Sequence, residues 1–194
     1  MTDWAAIYAP LIGSKIEALK WRPLTSDTST LIADFRQPSF TYTGAAEIAF
    51  EASRSLFLTW QMISGSCSLI ADMERSPEWG DHSLDSIRAS AEDPWASVDG
   101  ATLTGAWFYT LKECCSPLGG YRRDGSKHSF GYPVTAVRHA IHRDGEEHFF
   151  WLAVGNENGV VDQDDLWVAA NVAPPNPEDL VELGSIGGAI STAG

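Results

Sequence analysis

No lysine or arginine follows Arg143. From Asp144 to Gly194 the charged side chains are all acids: Asp144, Glu146, Glu147, Glu157, Asp162, Asp164, Asp165, Glu178, Asp179 and Glu182. These ten account for most of a net charge of -13 over 194 residues. An end without bases does not bind bare nucleic acid by neutralising phosphates. Its charge instead favours encounter with something positive. Charged residues as a whole are scarce, at 20%, so the acidity reflects missing bases rather than a highly charged, disordered chain.

Other absences narrow the field further. No apolar run approaches the roughly 18 residues of a membrane-crossing helix, and the start Met1-Thr2-Asp3-Trp4 lacks the basic and apolar regions of a secretory leader. There are three cysteines, Cys67, Cys114 and Cys115. The odd count and the adjacency of the last two argue for free thiols in a reducing, cytoplasmic setting. The chain has no phosphate-cradling Gly-Lys-Ser/Thr loop, no Gly-x-Gly-x-x-Gly, no His-Glu-x-x-His and no Cys-x-x-Cys. No cofactor or membrane contact is therefore expected.

What is present is aromatic, strand-forming sequence: eight Trp and eight Phe in a chain that is 44% hydrophobic. The expected fold is α+β, mainly antiparallel β-sheet, with a short N-terminal and a short C-terminal helix. Residues 1–184 are expected to form one globular domain and 185–194 a weakly ordered tail.

The first helix is expected to be capped by Thr2, with Trp4, Ile7, Tyr8 and Leu11 at helical spacing. Strands are expected over 16–21, 31–35, 46–50, 56–62, 68–73, 101–111 and 166–170, from their β-branched and aromatic content. A looser stretch, 75–83, is broken by Pro77 and Gly80.

Three Asp-Gly pairs, at 99–100, 124–125 and 144–145, signal hairpins, because both turn residues tolerate positive φ. At the third, 134–143 would pair with 146–154. Arg143 would then face Glu146, His142 face Glu147, and Arg138 face and stack on Trp151. Val137, Ile141, Phe150, Leu152 and Val154 would share the core face. Asn158-Gly159 marks a further turn. Asn176-Pro177-Glu178-Asp179, ending at Gly184, has the form of a capped helix.

Three clusters carry potential chemistry. His139, His142 and His148 lie near Glu146 and Glu147, but strand alternation separates His142 from the other two. Asp162, Asp164 and Asp165 offer oxygen ligands without the glycine and distal glutamate of a calcium loop, so no metal is expected. Arg122, Arg123, Lys127 and His128 suit an anion or an exposed loop. Trp79 and Trp95 each sit in a proline-containing acidic loop, the setting of an exposed interface anchor.

The leading expectation is a non-catalytic acidic binding protein that docks on a basic protein partner, in concrete form an immunity-type protein neutralising a toxin. Its partner-binding residues would be Glu157, Asp162, Asp164, Asp165, Trp79 and Trp95. The alternatives are a small hydrolase or lyase with a His/Asp-lined pocket and a nucleic-acid-mimicking decoy.

Overall fold

The structure, a computed structural model, describes residues 2–22, 37–63, 66–74, 84–85, 94–115, 132–161 and 165–188. Among these residues twelve strands follow one short helix, α1 (Trp4–Tyr8): β1 (Ile16–Arg22), β2 (Ser39–Tyr42), β3 (Ala45–Phe50), β4 (Arg54–Ile63), β5 (Ser66–Asp72), β6 (Leu84–Asp85), β7 (Thr102–Leu111), β8 (Ala136–Arg143), β9 (Glu146–Asn156), β10 (Gly159–Val160), β11 (Leu166–Ala170) and β12 (Leu180–Gly187). The expected strand at 31–35, the loose stretch at 75–83 and the Asp124-Gly125 turn fall outside the described residues.

The helix is capped by Asp3, not Thr2. The Asp3 carboxylate accepts from the Ala6 amide at 3.0 Å, the contact that satisfies an otherwise orphaned first-turn donor. A 3-10 turn containing Pro10 ends it.

The strands form two antiparallel sheets. One has the order β5-β4-β3-β1-β6; the other has the order β12-β7-β8-β9-β11-β2, with β10 added to β9. A large core lies between them. Leu19, Trp21, Ile48, Phe50, Leu56 and Leu58 of the first sheet and Phe108, Val137, Ile141, Phe150, Leu152 and Val168 of the second belong to one buried cluster, and Trp4 and Tyr8 of α1 join it. This is two layers closing on one another, each hiding its apolar face.

The hairpin at Asp144-Gly145 has the expected register throughout, including Arg143 with Glu146, His142 with Glu147 and Arg138 with Trp151. Val137, Ile141, Phe150, Leu152 and Val154 are all buried on the core face. The side-chain partners differ, however. Arg138 lies over the rings of Trp107 and Phe149, 5.3 and 4.8 Å from their centroids, while Trp151 packs on Tyr109 at 5.1 Å. Arg143 donates to the carbonyls of Ala96 and Asp99 and to the Asp144 carboxylate. It therefore fastens the hairpin to the segment before β7 instead of pairing with Glu146.

The second sheet is apolar on its other face as well. Ala136, Trp151, Ala153, Trp167 and Ala169 form a separate buried cluster with Leu111 and Val160, and all five residues of β11 are buried. A strand buried on both faces reads as a continuous apolar run, as Leu166–Ala170 does.

Two expected elements are replaced. Asp99-Gly100 does not close a hairpin; it turns the 3-10 segment Pro94–Ser97 into β7, and the Gly100 amide donates to the Ile16 carbonyl at 2.9 Å. The C-terminal helix is absent as well. Only Pro177–Asp179 form a 3-10 turn, and Leu180–Gly187 pair with β7. The Asn176 side chain makes no capping bond. It instead accepts from the Val160 amide at 3.1 Å and donates to the Val160 carbonyl at 2.6 Å. The signal for a helix was local, and the edge of β7 offered a whole row of hydrogen bonds against it. The last strand also extends to Gly187, beyond the boundary at 184.

At the hairpin turn Asp144 and Gly145 have φ of 53° and 89°, and a Cβ on Gly145 would meet nothing within 4 Å. Gly145→Ala should therefore cost only backbone strain, about 1–2 kcal/mol. At Gly155 an added Cβ would run into the Gly159 carbonyl, so Gly155→Ala should cost clearly more. Urea unfolding of the two variants checks the order.

Candidate functional site

Antiparallel pairing gathers particular chain segments at each end of the second sheet. Leu180 pairs with Leu111, Tyr109 with Ala136, Ala136 with Ala153 and Leu166 with Val154. The end of β7, the start of β8, the end of β9 and the starts of β11 and β12 therefore lie side by side. Glu113 follows β7, Glu157 sits in the β9–β10 turn, Asp165 precedes β11, and Glu178, Asp179 and Glu182 surround the start of β12. All but Asp165 are exposed. Among the described residues, the bases in these strand-end segments are Lys112, after β7, and Arg138, near the start of β8.

The other described C-terminal acids lie at the opposite end. Asp144, Glu146 and Glu147 flank the β8–β9 turn. The length of β9, at a rise of about 3.3 Å per residue, puts them about 33 Å from Glu157. Within that group Arg143 Nε lies 3.3 Å from the Asp144 carboxylate. His142 Nδ1 is 3.0 Å from Glu147 and His148 Nε2 is 3.8 Å from Glu146. The described acids of the tail are thus two separate groups at opposite ends of β9.

A cleft of about 330 Å³ opens at the acidic end, lined by Leu111, Lys112, Glu113, Val160, Val161, Asn176 and Asp179. Leu111 and Val160 give it an apolar floor. Its wall is held firmly, because the Asn176 side chain clasps the backbone of Val160. Gly159 lies so close beneath that a Cβ there would come within 2.6 Å of Asn176 Oδ1 and 2.7 Å of Pro175 Cδ. Next to the cleft, burial and then the charge of Glu182 raise the Tyr109 phenol, while Arg138 pulls it the other way.

The residues singled out from the sequence meet different fates. Glu157 is exposed at a turn, as a partner-facing acid would be. Asp165 is half-buried, and Thr43 Oγ1 donates to its carboxylate at 2.5 Å, so it also fastens β11 to the segment after β2. Asp162, Asp164, Trp79 and the Arg122, Arg123, Lys127 and His128 cluster lie outside the described residues.

Trp95 is a correction. It is 3% exposed, packs edge-on against Trp21 at 6.1 Å, and donates from its indole nitrogen to the Gln37 carbonyl at 3.0 Å. The apolar ring gains more from this aromatic cluster than from water, so it is not an exposed anchor. The sequence pattern alone does not bring Glu178, Asp179 and Glu182 to this end, because the run from Asn176 to Gly184 reads as a helix. Reading Leu180–Gly187 as an alternating strand was the signal that would have found them.

The histidines do not converge. His142 and His148 lie at the surface beside glutamates. His139 is wholly buried, with Nε2 2.8 Å from the Tyr8 hydroxyl and its ring stacked on Phe150 at 4.3 Å. Among the described residues no group of three His, Cys, Asp or Glu could hold a metal ion, and no helix is long and apolar enough to cross a membrane. No known family matches the chain, and no curated protein or solved structure is significantly similar to it.

His139 makes stability depend on pH. Burial pushes its imidazole from 6.5 down to about 3. The unfolded chain therefore takes up a proton near pH 6.5 that the folded chain refuses. This group's share of stability is intact above pH 6.5 and is lost as pH falls toward 3. Between pH 7.5 and pH 5 the loss should be about 2 kcal/mol. His139→Gln keeps a hydrogen-bonding partner for Tyr8 but cannot titrate in this range. Denaturant unfolding at a series of pH values should show that this loss disappears in the variant.

Proposed function

We propose that the protein is a non-catalytic binding protein that docks on a basic protein partner through the acidic end of its second sheet. The observation that supports this reading is the gathering of Glu113, Glu157, Glu178, Asp179 and Glu182, all exposed, at the end of the sheet where a cleft is lined by Leu111, Val160, Glu113 and Asp179, with Lys112 and Arg138 as the described bases nearby. Complementary charge speeds encounter and orients the partner, while the cleft supplies apolar surface to exclude water from the contact.

In its most concrete form the partner is a toxin domain whose positively charged active cleft is covered on binding, making this an immunity-type protein. Chains that process or bind polyanions carry basic clefts, and an acidic surface of matching shape closes one without any chemistry. The three histidines, dispersed between the core and the far end of the hairpin, contribute nothing to this contact.

The test compares the two acidic ends. Poly-lysine serves as the probe, and each variant removes three charges. Glu157→Gln, Glu178→Gln and Asp179→Asn together should weaken binding about tenfold or more, with a shallower dependence on salt. Asp144→Asn, Glu146→Gln and Glu147→Gln together should weaken it much less. Equal losses, or a greater loss from the hairpin set, would reject the assignment of the docking end.

A further inference from the structure

We infer that the outer edge of β12 receives an extended basic segment of the partner as an added antiparallel or parallel strand; this rests on the docking reading above and specifies its mode. β12 is the terminal strand of its sheet, bonded on one side to β7. No described residue pairs with its other side. The backbone donors and acceptors of an edge strand form a template for another chain, and proteins usually blunt such edges with charged side chains (lysine above all), proline, bulges or very short strands. β12 has eight residues, Leu-Val-Glu-Leu-Gly-Ser-Ile-Gly, without a lysine, an arginine or a proline. One bulge, at Leu183 between Glu182 and Gly184, interrupts its pairing with β7. Regular pairing resumes from Gly184 to Gly187.

Charge selects the occupant. Glu178 and Asp179 immediately precede the strand, and Glu182 lies within it, all exposed. A second copy of the chain would bring the same acids against these and add its own net charge of -13, which opposes self-pairing.

The two faces of the strand define the pattern of the incoming segment. Leu183 and Ile186 pack on the core between the sheets, and Leu180 on the outer cluster. Glu182 pairs with Tyr109 on that outer face. An added strand would therefore present apolar residues on the core side and lysine or arginine beside Glu182. Main-chain bonds would supply affinity, and alternate side chains specificity.

The test uses the full chain and a synthetic peptide of alternating lysine and valine. Hydrogen exchange followed by mass spectrometry should show amides between Leu180 and Gly187 slowed by the peptide. The same peptide with alternate backbone nitrogens methylated keeps its charge but loses one bonding edge, and it should bind about tenfold more weakly. Glu182→Lys, an exposed change, should weaken the unmethylated peptide by a similar factor. If the peptide binds and slows only amides near residues 111–113 and 155–161, strand addition is wrong while docking at the acidic end survives. If methylation has no effect, strand addition is also wrong. If neither peptide binds, both readings fail.

Discussion

The register of β8 against β9 is the constraint on which the rest of the second sheet depends. Side chains alternate across a strand, so a slip of one residue would turn Val137, Ile141, Phe150, Leu152 and Val154 away from the core. The opposite face carries Ala136, Trp151 and Ala153 in a second buried cluster, so a slip would also exchange side chains of different size between two packed interiors. The turn sets the register, with Asp144 and Gly145 both at positive φ. Arg143 then ties the same turn to the carbonyls of Ala96 and Asp99. β7 pairs with β8 and β11 with β9, so both neighbours inherit that alignment. β12 inherits it through β7.

Where sequence and structure agree, one local signal was strong enough to decide the outcome. Asp-Gly between two alternating runs left little freedom at 144–145. At 99–100 the same dipeptide serves a different turn, since the segment preceding it is the short 3-10 stretch and not a strand. At Asn176 the capping signature competes with an edge of β7, which no local pattern reveals. The amide side chain that would have capped a helix clasps Val160 instead. Trp95 was misread for a related reason: its acidic neighbours in sequence say nothing of Trp21 and Phe40, which meet it across the core. Sequence displays neighbours along the chain, whereas burial is decided by neighbours in space.

The same distinction sharpens the meaning of the acid-only tail. As a sequence it is one run without a base. In the structure its described acids form two groups at opposite ends of β9. One flanks a hairpin where His142 and His148 stand beside the glutamates, and the other surrounds a cleft where pairing of β12 with β7 has drawn in Glu178, Asp179 and Glu182. Glu157 was legible as an exposed acid because a turn places it outward. Its companions were not, because their proximity depends on a strand the sequence resembled a helix in hiding. His139 shows the converse: a residue type associated with catalysis is held neutral in the core by burial and serves packing with Tyr8 and Phe150.

The central claim is that this acidic end, and not the hairpin end, meets a basic partner. Its most direct test is backbone amide NMR of the full chain during titration with a basic polypeptide. The account predicts that shifts concentrate at residues 111–113, 155–161 and 176–187 and diminish as salt is added. Shifts centred on residues 142–148, or spread evenly over both ends, would contradict it.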